Sequence, residues 1–196
     1  MKNNKKDVYV NITTNQIEAE LNREKAKRRN KSTVKSTIAI LIVAAAATIL
    51  VATLLLPVMQ ISGNSMNPTL QENDIVFAVK TNNLDYGDVC GFYYSNKILI
   101  KRVIAKPLDT VDIDGGGNVY INGKLLDEPY IDKKSFGDCD IKLPYQVPEG
   151  MYFVMGDNRS TSIDSRSTEI GCVSQDEIIG KVFFTVWPPA DFGTIK

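Results

Sequence analysis

The pattern of apolar and polar positions changes character once, near Pro57. Before it, residues 38–59 form an almost unbroken apolar run interrupted by Thr48 and Thr53, and no charged residue occurs between Lys35 and Glu72. As a helix these 22 residues extend about 33 Å, enough to cross a bilayer core of about 30 Å. A helix apolar on every face is hard to cover with the 137 residues that follow, so the pattern predicts a membrane span rather than a core helix. A cleaved leader would be shorter and nearer the terminus. Gln60-Ile61-Ser62-Gly63-Asn64 also offers no pair of small residues at the spacing that a cleavage site needs, which predicts an uncleaved anchor.

After Pro57 the apolar positions fall into short, β-branched or alternating runs. Residues 74–79, 89–94, 97–104, 111–114, 119–121, 151–155 and 181–186 read as strands. Gly115-Gly116-Gly117-Asn118 reads as a hairpin turn whose glycines supply positive φ, and Asn122-Gly123 as a second turn. Asp112 and Asp114 do not match an EF-hand calcium loop, because the twelfth position from Asp112 is Gly123. No long helical period appears. The expected fold is mostly β, a coiled β-sandwich or barrel-like domain preceded by one transmembrane α-helix.

Charge gives this outline a direction. Residues 1–36 hold ten Lys/Arg against four acids, and the remainder holds 13 against 19. The overall neutrality is therefore a basic tail joined to an acidic domain. The positive-inside bias predicts a cytoplasmic tail over 1–36, a signal-anchor helix over 37–59 and an extracytoplasmic domain over 60–196 in the cell membrane. The basic tail reads as a flank that fixes topology and touches anionic lipid of the bilayer, not as a nucleic-acid arm. Residues 18–31 read as a short helix with little apolar face, since Leu21 and Ala26 are its main contributors.

Composition then narrows the chemistry. The chain has no histidine, which excludes Ser-His-Asp triads, Cys-His dyads and His-ligated metals. Cys90, Cys139 and Cys172 are too widely spaced for a CxxC motif. The expectation is no metal and no cofactor. A nucleophile here would have to be activated by Lys, Asp, Glu or Tyr.

Three segments concentrate reactive groups. Ser65 stands in Ser62-Gly63-Asn64-Ser65-Met66-Asn67-Pro68-Thr69-Leu70, just after the apolar run. Lys101 and Arg102 stand within the strand at 97–104. Alternation places Leu99, Lys101 and Val103 on one face and Ile100, Arg102 and Ile104 on the other. Both cations thus have apolar neighbours on their own faces. Burial lowers a lysine pKa, and a neutral amine can take a proton from a hydroxyl. The third segment runs from Gly156 to Arg166, GDNRSTSIDSR, and is rich in short polar side chains suited to a self-bonded loop. Each segment alone has an ordinary reading: a loop serine, an edge-strand lysine, a surface loop.

In this order behind a membrane span, the three boxes resemble the type I signal peptidases, bacterial membrane-bound serine proteases that use a Ser-Lys dyad. The resemblance runs from Ser62 to about Trp187 and rests on SMNPTL, KRVIAKPLDTV and GDNRSTSIDSR. Val119-Tyr120-Ile121-Asn122-Gly123 and Glu128-Pro129-Tyr130 are similar to the family's middle region. The resemblance implies that Ser65 is the nucleophile and Lys101 the general base, with Ser162 orienting the lysine amine. It implies supporting ion pairs of Asp157 with Arg102 and of Asp164 with Arg166. It further implies that Met66 and Ile100 contact substrate, an exported preprotein cut after a small-x-small site through an acyl-enzyme. Gly63 stands where some relatives carry a hydroxyl that serves the oxyanion, which leaves the second oxyanion donor unassigned. Ala105 and Leu108 stand where glycines are usual. A self-cleaving repressor-type protease lacks this anchor and third box, and a reticulum-type signal peptidase uses histidine.

Overall fold

The structure, a computed structural model, describes residues 14–195. It divides into two units between Val51 and Ala52.

The first unit is helical. Helix α1 covers Thr14–Leu55, 42 residues, which is about 63 Å at about 1.5 Å per residue. It takes in both the basic stretch expected as a separate short helix and most of the apolar run. Ile38, Ile40, Leu41, Ile42, Val43, Ile49 and Leu50 are all exposed along it. By length and composition it contains a segment able to cross a membrane. The helix stops short of the expected boundary at Met59. Pro57 has no N–H to donate and disfavours helical geometry in the residue before it. Met59 instead lies in a strand, with its side chain buried in the second unit.

The second unit is antiparallel β. Its strands are β1 (Val58–Gln60), β2 (Ile75–Val79), β3 (Val89–Tyr94), β4 (Lys97–Ala105), β5 (Thr110–Ile113), β6 (Val119–Ile121), β7 (Lys124–Leu125), β8 (Tyr145–Gln146), β9 (Met151–Met155), β10 (Val173–Ser174), β11 (Ile178–Trp187) and β12 (Gly193–Thr194). The larger sheet runs β1-β2-β11-β3-β4-β9-β10, with β12 added beside β11. The smaller runs β7-β6-β5-β8. The glycine-rich turn joins β5 to β6 with Ile113 opposite Val119, as the alternating pattern requires. The very short strands β1, β7, β8, β10 and β12 carry too few residues for a periodicity to register.

Three cores hold these layers. Met59, Ile61, Met66, Leu70, Val76, Ala78, Val89 and Val182 pack beneath the segment that joins β1 to β2. Ile104, Val111, Ile113, Val119, Val147 and Phe153 join the two sheets. Cys90, Phe92, Val103, Tyr152 and Val154 fill a third, against which Leu99 packs. The β-branched run of β4 thus feeds all three cores, since Ile100 packs on the first and Ile104 lies in the second. This explains why a strand with two adjacent cations is apolar on both faces.

Strand β4 pairs with β3 along its length, from Tyr94 opposite Lys97 to Val89 opposite Arg102. On its other side β9 pairs only with its second half, starting at Arg102 opposite Met155. Residues 97–101 therefore keep an open edge. β1 ends this sheet at one margin and β10 at the other. The side chain of Met59 on β1 comes so close to Gly91 on β3 that a Cβ there would lie 2.9 Å from its sulfur and 3.8 Å from Ile98 of β4. The sheet thus coils until its first strand approaches the open half of β4.

Candidate active site

Ser65 lies in the turn between β1 and β2. The two ends of that turn are tied together by hydrogen bonds from Ile61 N–H to the Asp74 carbonyl and from Asn73 N–H to the Ile61 carbonyl, at 2.8 and 3.0 Å. Gly63 takes φ +86°, a conformation open to glycine at no steric cost. Leu70 N–H bonds to the Met66 carbonyl at 2.9 Å. The turn is therefore a fixed structure, and Ser65 within it is half-buried. Its N–H makes no hydrogen bond among the described residues, while its carbonyl accepts from Asn158 N–H at 3.0 Å.

Lys101 sits at the last residue of the open half of β4. Its side chain is 4% exposed, and its Nζ lies 2.6 Å from Ser65 Oγ. Burial pushes the amine below its ordinary 10.5, opposed by the charge of Asp164 and reinforced by that of Arg166. A depressed amine beside a hydroxyl is chemically equipped to accept its proton.

Arg102 points away from this contact and is fully buried. Its Nε and Nη2 meet the two oxygens of Asp157 at 2.9 and 2.7 Å, the two-pronged geometry that makes such pairs strong and directional. Nη1 donates to the Gly87 carbonyl at 2.7 Å, and the guanidinium lies 3.9 Å from the Tyr130 ring centre. Thr69, four residues after Ser65, joins this pair: its hydroxyl donates to Asp157 Oδ2 and accepts from Arg102 Nη2. The serine turn and the lysine strand are thus bound to one carboxylate.

The segment from Gly156 to Arg166 closes the arrangement. Arg166 meets both oxygens of Asp164 at 2.8 and 2.9 Å, and donates from Nη1 to the Phe136 carbonyl at 2.8 Å. Asp164 Oδ2 also accepts from Gly156 N–H at 3.0 Å. Gly156 has no room for a side chain, because a Cβ would lie 2.3 Å from Ser162 Oγ and 2.5 Å from the Ser65 carbonyl oxygen.

Two expected contacts differ. Ser162 Oγ is buried beside Gly156 but has no hydrogen-bond partner, so the bond expected to orient the lysine amine is not made. With Gly156 packed directly on its hydroxyl and Cβ, that serine is held against backbone. Met66, expected to line a substrate pocket, is 2% exposed and belongs to the core under the turn. The residue after Ser65 turns inward to anchor the loop, while on the open half of β4 Ile100 is half-buried and Ile98 exposed. Sequence reasoning assigned no role to Thr69, Glu128 or Arg159. All three lie inside the segments that carry the resemblance, but nothing local marks Glu128 as the partner of a residue 31 positions away.

A β domain that sets a buried amine against a serine hydroxyl, in a chain without histidine, has the equipment of a serine hydrolase that works without imidazole. The family model described as signal peptidase, peptidase S26 matches residues 31–187. The chain belongs to that family and is a serine endopeptidase of the kind that removes signal peptides. It is 38% identical over 153 residues to signal peptidase IB of Staphylococcus aureus, covering 67% of this chain and 78% of that protein. It is 33% identical over 186 residues to signal peptidase I of Bacillus amyloliquefaciens, covering 88% and 95%. The crystal structure of a signal peptidase I from Enterococcus faecalis matches with a TM-score of 0.43 and 30% identity, over 50% of this chain and 96% of that one.

Proposed function

We propose that the chain cleaves exported preproteins with Ser65 as nucleophile and Lys101 as general base. The observation that carries this reading is the 2.6 Å contact between Lys101 Nζ and Ser65 Oγ with the amine buried. The neutral amine takes the hydroxyl proton as Ser65 Oγ attacks the scissile carbonyl carbon. The C–N bond breaks, the amine's extra proton goes to the leaving nitrogen, and an ester to Ser65 remains. Water then attacks that ester, Lys101 takes its proton and returns one to Ser65 Oγ. The unpaired Ser65 N–H donates to the oxyanion. The pairs Arg102–Asp157 and Asp164–Arg166 hold the two reacting groups at this distance, and Ser162 packs behind them.

The preprotein binds as an added strand along residues 97–101, with β1 as the opposite wall. Ile100 contacts the side chains before the cut. A shallow apolar floor accepts small residues one and three positions before the scissile bond. Helix α1 anchors the enzyme in the cell membrane with residues 1–36 in the cytoplasm and the β unit outside. This division into tail, span and catalytic domain follows the charge asymmetry.

The test is turnover of a small-x-small precursor by the full chain in detergent. Ser65→Ala and Lys101→Ala are each expected to lose at least about a thousandfold in kcat while keeping native circular dichroism. Robust cleavage by either folded variant refutes the assignment.

A further inference from the structure

Beyond the two ion pairs of the expected site lies a third, between Glu128 and Arg159. Both side chains are fully buried, and the pair joins Arg159 Nη2 to Glu128 Oε1. The two residues come from different parts of the fold: Glu128 follows β7 of the smaller sheet, and Arg159 lies in the segment after β9. Glu128 Oε1 also receives the Tyr130 hydroxyl at 3.3 Å. Burial holds that phenol well above its usual range, so it stays a donor. Tyr130 is the residue whose ring covers Arg102.

As a source of stability this pair is poor. Glu128 Oε2 and Arg159 Nη1 are buried with no hydrogen-bond partner. A buried pair whose remaining polar atoms are unsatisfied gains little over apolar side chains of the same volume. Its contribution is geometric. Arg159 Nε donates to the Gly156 carbonyl at 3.0 Å, while Gly156 N–H is held by Asp164 at 3.0 Å. The glycine is therefore gripped at both its N–H and its carbonyl, against the Ser65 carbonyl and Ser162. Release of either end lets it shift into the space that sets the distance from Ser65 to Lys101.

We propose that Glu128 is a positioning residue for catalysis: by holding Arg159 it fixes the Gly156 carbonyl, and through it the seat of Ser65. This rests on the reading of Ser65 and Lys101 as the reacting pair. It assigns the smaller sheet a task at the site, through a carboxylate that touches neither substrate nor reacting atoms.

The experiment compares the full chain in detergent with Glu128→Gln and with the double variant Glu128→Gln/Arg159→Met, reading Tm, kcat and KM for a small-x-small peptide. Glu128→Gln leaves a buried guanidinium unpaired, so both Tm and kcat are expected to fall. The double variant removes that unpaired charge and regains most of the Tm. It does not regain the bond to the Gly156 carbonyl, so its kcat stays roughly tenfold to a hundredfold down with KM within about twofold of native. A double variant whose kcat returns with its Tm overturns the proposal, as does a Glu128→Gln variant with native kcat. Failure of both variants to fold also overturns it, since the pair is then structural alone. Ser65→Ala runs in parallel: turnover by that control overturns the underlying reading and this proposal with it, whereas native kcat in Glu128→Gln beside an inactive Ser65→Ala overturns this proposal alone.

Discussion

In the proposed mechanism Lys101 couples function to stability. Its amine is pushed below 10.5 chiefly by burial, so between the depressed value and 10.5 the unfolded chain holds more protons than the folded one. The lysine therefore contributes stability that is present above pH 10.5 and lost as pH falls through the depressed value. Two outcomes follow from that sign. The kcat/KM of the native enzyme should rise with pH along a single-proton limb whose apparent pKa lies below 10.5, measured with a peptide substrate. Lys101→Met should inactivate the enzyme and yet stabilise it at pH 7 by on the order of 1 kcal/mol, a gain that shrinks towards pH 10 in urea melts. The tendency of this lysine was legible in the sequence, because Leu99 and Val103 flank it on its own face of the strand. Its distance from Ser65 was not, since 36 residues separate the two. The resemblance named the pair, and tertiary structure alone could bring them within 2.6 Å. Met66 shows the reverse case: adjacency to Ser65 suggested a pocket wall, but an apolar side chain at that turn is more stable buried, at 2% exposure.

At the scale of elements, the site depends on three backbone segments meeting without clearance. Gly156 is the tightest point, and its constraint is steric rather than conformational, for its φ is not positive. Gly156→Ala should therefore separate Ser65 from the segment after β9. The expected result is a loss of roughly a hundredfold in kcat with a stability cost of about 1–3 kcal/mol from overpacking, read by turnover and urea denaturation of the same preparation. The strands that carry the site, β4 and β9, were plain in the apolar pattern, as was the hairpin of β5 and β6. The helix boundary was misplaced by reading hydrophobicity through Pro57, where backbone chemistry ends the helix and hydropathy does not. The sequence singled out Glu128 within Glu128-Pro129-Tyr130 but not its partner, because ion pairs between distant segments have no period and no spacing.

For the molecule as a whole, opposite charges divide at the apolar run: the basic excess lies in residues 1–36 and the acidic excess after it. If that asymmetry sets orientation, a cysteine placed at exposed Lys124, in a chain with its native cysteines replaced, reacts with a membrane-impermeant maleimide in intact cells. Labelling confined to lysed cells would reverse the proposed topology. The native cysteines are all free thiols. Burial pushes Cys90 up to about 12 and Cys172 up to about 11, so both remain protonated and poorly nucleophilic at neutral pH.

Backbone pairing is blind to sequence, and the margin that β9 leaves uncovered is only five residues long, 97–101. Any unfolded exported chain could lie down there. So brief a margin offers too few bonds to detain one, and an ill-suited visitor departs quickly. If preproteins dock there as proposed, fidelity comes from dwell time: a precursor must stay long enough to be cut, and small residues at the proposed positions lengthen its stay.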